Sequence, residues 1–196
     1  MSALPGPAPG PAPAQPAEPG VELLERALGY TRGALVTVGP EHLDRPTPCA
    51  GWLLRDLLAH MEDALDAFAE GAGGTIDPHS RAPAPLPRRL AALQEKACGL
   101  LGAWLAARTP YVDLGGHLVA VDTIARLAAV EIAVHGWDVA RATGAAVRLP
   151  DPLADALLPT ASALAAEHRA GFGAPVPVAA DAPAGRRLLA VLGRRG

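Results

Sequence analysis

A chain of 196 residues is long enough to bury one core and short for two, so a single domain with tails is expected. Half of the chain is hydrophobic but only 4% is aromatic, and Ala and Leu supply most of the apolar fraction, which favours helix over sheet. The formal net charge is −3 with no cluster of Lys or Arg among aromatics, no apolar run approaches a membrane span, and the start lacks the pattern of a signal peptide; this argues against nucleic acid and membrane as partners and for a cytoplasmic protein.

Residues 1 to 20 alternate Pro, Gly and Ala, a composition that removes backbone donors and offers nothing to bury, so a disordered leader is expected, with a single domain over residues 21 to 196. Val21, Leu24, Ala27, Leu28, Thr31, Leu35 and Val38 then recur at helical spacing until Gly39-Pro40. After turn chemistry from Asp44 to Gly51, Leu54, Leu57, Leu58, Met61, Leu65 and Phe68 mark a second apolar stripe ending near Gly71. A breaker region from Gly71 to Pro87 leads to a third helix through Leu90, Leu93, Ala97, Leu100, Leu101, Trp104 and Leu105, closed by Thr109-Pro110.

A loop through Gly115-Gly116 precedes a helix from about Val121 to Thr143, apolar around most of its circumference and stopped by Gly144, which should lie centrally. A fifth helix is expected from about Pro152 to Arg169 with Asp151 as N-cap. The segment from Phe172 to Pro183 is rich in Pro and Ala, and Leu188-Leu189-Ala190-Val191-Leu192 could pack back as a further turn or strand. The simplest assembly is an all-α, antiparallel four-helix bundle with an additional helix on one side and a short tail.

At about 100° per residue, Glu131 and His135 share the sector of Ile124, Ala128 and Ala142 on the fourth helix, so both polar groups face the core. Buried without partners they would cost several kcal/mol, and a divalent cation satisfies both at once. Their i, i+4 spacing suits two ligands of one ion, and His60, at the edge of the second helix's stripe, is the best third. Two His and one Glu leave an open position for water or substrate, as in catalytic zinc sites. The alternative is a hydrogen-bonded core Glu-His pair with His60 as an ordinary interhelical histidine. Asp138, one turn further, could orient His135 or could be solvated near the helix end.

Other polar residues carry weaker signals. Cys49 and Cys98 form no Cys-x-x-Cys pair and read as small buried hydrophobes, though Cys49, just ahead of a helix, could be activated by its N-terminus. The Arg186-Arg187 and Arg194-Arg195 pairs read as solvated tail charges. His42, His79, His117 and His168 fall in loops or near helix ends, where solvation is the expected state, and Trp52, Trp104 and Trp137 serve either packing or a pocket wall.

Thr47-Pro48-Cys49-Ala50-Gly51-Trp52 followed by Arg55-Asp56-Leu57-Leu58-Ala59-His60, together with Glu131-x-x-x-His135-Gly136-Trp137-Asp138 through Gly144, resembles the actinobacterial metal-binding group of the DinB-like superfamily, which includes mycothiol-dependent maleylpyruvate isomerase. The tail from Phe172 to Val178 and Leu188 to Arg194 resembles that of the group's smaller members. The resemblance implies a DinB-like bundle and a metal triad of His60, Glu131 and His135, whose open position takes the sulfur of a low-molecular-weight thiol or another small ligand. Leu53 stands where these proteins commonly have a Ser or Thr cap, and the chain ends before any larger second domain like that of the isomerase, so isomerase activity itself is not expected.

The leading expectation is a metal-dependent small-molecule enzyme, a thiol-dependent transferase or isomerase in which Zn²⁺, or else Ni²⁺ or Mn²⁺, activates a thiol such as mycothiol towards an electrophile. A metal-dependent hydrolase or hydratase is the second reading. The third is a non-catalytic metal-containing protein that binds a small molecule. The scarcity of Lys beside many Arg, Ala, Gly and Pro suits a high-G+C actinobacterium, and self-association as a homodimer is compatible with a small helical domain.

Overall fold

The computed structural model describes residues 18–72, 85–106, 110–114, 116–167 and 172–195. The proposed leader up to residue 17, most of the breaker region before the third helix, that helix's closing Thr109, Arg169, His79 and His168 lie outside the described residues.

Helix α1 spans Gly20–Leu35, α2 Leu54–Ala72, α3 Leu86–Ala106, α4 Val121–Thr143, α5 Asp151–Ala166 and α6 Ala184–Val191, with a 3-10 turn at Pro40–His42. The expected loop before α4 is instead an antiparallel hairpin, β1 (Tyr111–Leu114) and β2 (His117–Ala120), with Tyr111 opposite Ala120 and Leu114 opposite His117. Gly116, at φ 90°, supplies the left-handed backbone its turn requires.

Helix α4 is the central element, buried without a break from Ala128 to Ala140 save at Glu131. Its most extensive partner is α1. The two backbones come together at Gly136, where a Cβ would overlap Thr31 Oγ1 and lie 3.1 Å from Thr31 Cα. Thr31 uses that proximity to donate its hydroxyl to the Ile132 carbonyl at 2.8 Å. Gly144 ends α4 at φ 78° as expected, and Ala145 N–H returns to the Ala140 carbonyl at 2.9 Å. Among the described residues, no helix is long and apolar enough to cross a membrane.

The C-terminal segment departs from expectation in ways that matter for the site. Asp151 is not the N-cap of α5 but its first residue, and its carboxylate accepts the Gly185 N–H at 2.8 Å, thereby capping α6 instead. The Leu188–Leu192 piece is helical, and Leu188, Leu189 and Leu192 are buried. At its end Gly193 adopts φ 77°, Gly193 N–H bonds the Ala190 carbonyl at 3.1 Å and Arg194 N–H bonds the Leu189 carbonyl at 2.8 Å, which is a Schellman closure. That closure turns Arg194 into the core, where it is 3% exposed, so its reading as a solvated tail charge is corrected.

Candidate metal centre

His60 on α2 faces Glu131 and His135 on α4. Glu131 Oε1 accepts from His60 Nε2 at 2.8 Å and from His135 Nε2 at 3.0 Å, and the two imidazoles meet edge to face with centroids 5.0 Å apart. One ligand atom from each residue lies within 4.8 Å of the other two. Burial works against the Glu131 charge, yet the bonds from His135 and His60 hold its carboxyl far below the usual range. Burial likewise works against a charged His135, and the bonds to Asp138, Cys49 and Glu131 override it, raising the ring well above 6.5.

Asp138 is fully buried rather than solvated, and its Oδ2 takes His135 Nδ1 at 3.0 Å. The same oxygen receives Arg194 Nη2 at 2.9 Å, and Arg194 Nε reaches Oδ1 at 3.3 Å. Burial raises the Asp138 carboxyl, but His135 and Arg194 together hold it below its ordinary value. Cys49 is buried as expected, but against polar atoms: its thiol donates to Asp138 Oδ2 at 3.2 Å and its sulfur accepts Arg194 Nη2 at 3.1 Å. Cys98, by contrast, is exposed on α3.

A tight knuckle delivers Cys49 and Trp52 to this cluster. Trp52 N–H bonds the Cys49 carbonyl at 3.0 Å across Gly51, whose φ of 81° only glycine adopts readily, and the Thr47 hydroxyl and Cys49 N–H bond at 3.2 Å. Trp52 then sits edge-on to His60 at 4.9 Å, while Phe172 stacks on His135 at 6.3 Å and lies under the Arg194 guanidinium at 5.3 Å. Leu53 has no side-chain oxygen to cap α2, and Asp56 Oδ2 compensates in part by accepting the Leu53 N–H at 3.0 Å.

Thus the four residues singled out from the sequence, His60, Glu131, His135 and Asp138, come together, while Arg194, Cys49 and Phe172 join them unanticipated. The available signal for Arg194 was the glycine directly after an apolar helical run, which marks a left-handed closure and a reversal of the chain. Of the remaining histidines, His42 accepts the Gly39 N–H at 2.9 Å within the 3-10 turn, and His117 is exposed on β2.

Two imidazole nitrogens and a carboxylate on one point, with the far nitrogen of one imidazole held by a buried carboxylate, have the donor chemistry to hold a divalent cation. Cys49, His135 and Asp138 also lie close enough to do so, but the Arg194 guanidinium rests on two of those three groups and would repel a cation. The His60, Glu131 and His135 set is therefore the better candidate.

The architecture is that of a DinB-like helical bundle with a candidate centre of two histidines and one glutamate between its second and fourth helices. The chain belongs to the mycothiol maleylpyruvate isomerase N-terminal domain family, whose model matches residues 24–140. An uncharacterized protein of Mycobacterium tuberculosis, in strains CDC 1551 and H37Rv alike, is 28% identical over 182 residues, spanning 87% of this chain and 94% of the relative. Mycothiol-dependent maleylpyruvate isomerase shares the fold, with a TM-score of 0.54, 17% identity and coverage of 74% of this chain and 68% of that one. A histidine-to-alanine variant of that isomerase superposes with a TM-score of 0.58 at 15% identity and the same coverage.

Proposed function

We propose that this protein is a metal-dependent enzyme that adds the sulfur of a low-molecular-weight thiol, mycothiol or a close analogue, to an electrophilic small molecule, either as a transferase or as the first step of an isomerisation. The observation that carries this reading is the convergence of His60 Nε2, Glu131 Oε1 and His135 Nε2 on one point. Family membership supports the thiol, because the family is described by its mycothiol-dependent isomerase.

His60, Glu131 and His135 would hold the cation, whose contribution when bound is to keep the thiol as a thiolate nucleophile at neutral pH. The rest of the work falls to the chain. Asp138 binds His135 Nδ1 and so leaves Nε2 directed at the ligand position. Arg194 neutralises Asp138, which lets the carboxylate remain charged in the core. Trp52 and Phe172 flank the two imidazoles with apolar ring surface. In the reaction an S–C bond forms, the electrophilic carbon's π electrons move to its activating group, and the thiol proton ends on the adduct or returns when the thiol leaves.

The test is turnover of an electrophile with mycothiol by chelator-treated protein, before and after reloading with Zn²⁺, Ni²⁺ or Mn²⁺. Activity that needs both metal and thiol is expected. Turnover that survives metal removal would contradict the reading, and turnover without any thiol would point to the hydrolase or hydratase alternative.

A further inference from the structure

Helices α1 and α3 leave between them a cavity of about 610 Å³, floored by α2 and α4. That volume lies in the range of small-molecule sites. Its walls are mostly hydrocarbon, with Leu28 and Leu35 from α1, Leu65 from α2 and Leu93 and Leu101 from α3, while Thr31 and Gln94 add neutral polar groups. The α1 wall is lowered at Gly29, where an added Cβ would meet nothing within 4 Å. Glu131 and His135 of the candidate centre belong to the same lining, so a molecule seated there has one end at those groups. The charged groups elsewhere on the wall are one cation, Arg32, and one carboxylate, Glu25.

These features select a substrate class. Even with one carboxylate at the candidate centre, the second carboxylate of a compact dicarboxylate would have to shed its hydration among leucines with one arginine on the wall to receive it, and that desolvation is unfavourable. An apolar body gains by leaving water for the same walls. We propose that this cavity is the substrate pocket and takes an uncharged electrophile with a hydrocarbon body, the size of a fused aromatic ring pair or a medium-chain acyl group, rather than a small dicarboxylate such as maleylpyruvate. What happens to that molecule at Glu131 and His135 rests on the reading given under Proposed function; its binding does not.

The experiment titrates the neutral fluorophore N-phenyl-1-naphthylamine into the wild type, Gly29→Leu and Gly33→Leu. Gly33 lies on the same helix, has equal room for a side chain and is not part of the cavity lining, so it controls for the added helix propensity. Saturable binding is expected in the wild type and Gly33→Leu, at least tenfold weaker in Gly29→Leu, with 1-naphthol displacing the probe and maleate failing to do so. Metal content and unfolding midpoint are measured on the same samples. Absence of probe binding, equal binding by Gly29→Leu, or displacement by maleate but not by 1-naphthol would overturn the proposal. Probe binding that behaves as expected in a protein that never takes up metal would uphold the pocket and defeat only the metal chemistry.

Discussion

Arg194 and Asp138 form a salt bridge of 2.9 Å in which the two side chains are 2% and 0% exposed, joining residues 56 apart in sequence. A buried carboxylate stripped of such a partner keeps its desolvation penalty and loses the compensation. Arg194→Met should therefore destabilise the fold by roughly 3–5 kcal/mol, read as a shift of the urea midpoint. It should also loosen His135, because Asp138 is what orients that ring, and so weaken metal affinity on the order of 10–100-fold, read by chelator competition on the protein that remains folded.

The placement of Arg194 depends on Gly193. Its positive φ disfavours any side chain, and a Cβ there would lie 2.6 Å from the Gly173 Cα and carbonyl carbon. Gly193→Ala is expected to lower stability by about 1–3 kcal/mol and to weaken metal binding in the same direction as Arg194→Met, although residue 193 is not itself a candidate ligand. A loss of stability with unchanged metal affinity would separate the turn from the centre.

Much of this arrangement is legible in the sequence, and the boundary of legibility has a physical cause. The 3.6-residue periodicity of α4 and the glycine at its end identify a central helix, and once that helix is laid out Glu131 and His135 fall on its buried side without further information. His60 follows from the edge of a stripe on α2. Arg194 does not, because nothing local distinguishes an arginine that folds inward from one that stays in solvent; its burial is decided by Asp138 on another helix. Asp151 fails for a related reason, since it looks like the cap of the helix it begins and serves a helix that starts 33 residues later, at Ala184. The hairpin is missed because strands of 4 residues each give periodicity too little length to register.

The pH dependence of metal binding follows from the metal-free state. There burial opposes a charged His135, but its bonds to Asp138, Cys49 and Glu131 raise the ring well above 6.5, so its proton is held more tightly than a free imidazole's. The stability this lends the metal-free fold is complete below the unfolded imidazole value and is lost as pH rises through the folded one. Glu131 and Asp138 are depressed, so their contribution is present above the ordinary carboxylate range and fades as pH falls below it. A metal ligand must be deprotonated, so binding should release the proton that His135 holds, and affinity should rise as pH rises. Calorimetry in buffers of different ionisation enthalpy and competition titrations at stepped pH check both halves.

The contact between α1 and α4 gives a prediction that does not involve the centre's chemistry. Gly136→Ala places a methyl group on Thr31 and should cost about 1–3 kcal/mol. Thr31→Ala removes the obstructing hydroxyl, so the double variant should lose less than the sum of the two single ones. Thermal or urea unfolding of the four proteins gives the coupling directly, and strict additivity would mean that the helices separate rather than clash.

The central claim is the His60, Glu131 and His135 centre, and elemental analysis of the purified protein tests it most directly. The wild type should hold about one divalent ion per chain, and His60→Ala, Glu131→Ala and His135→Ala, each checked for fold by circular dichroism, should each lose it. A folded wild type that stays metal-free after incubation with Zn²⁺, Ni²⁺ and Mn²⁺ would contradict it, leaving these residues as a hydrogen-bonded core network beside an apolar binding pocket.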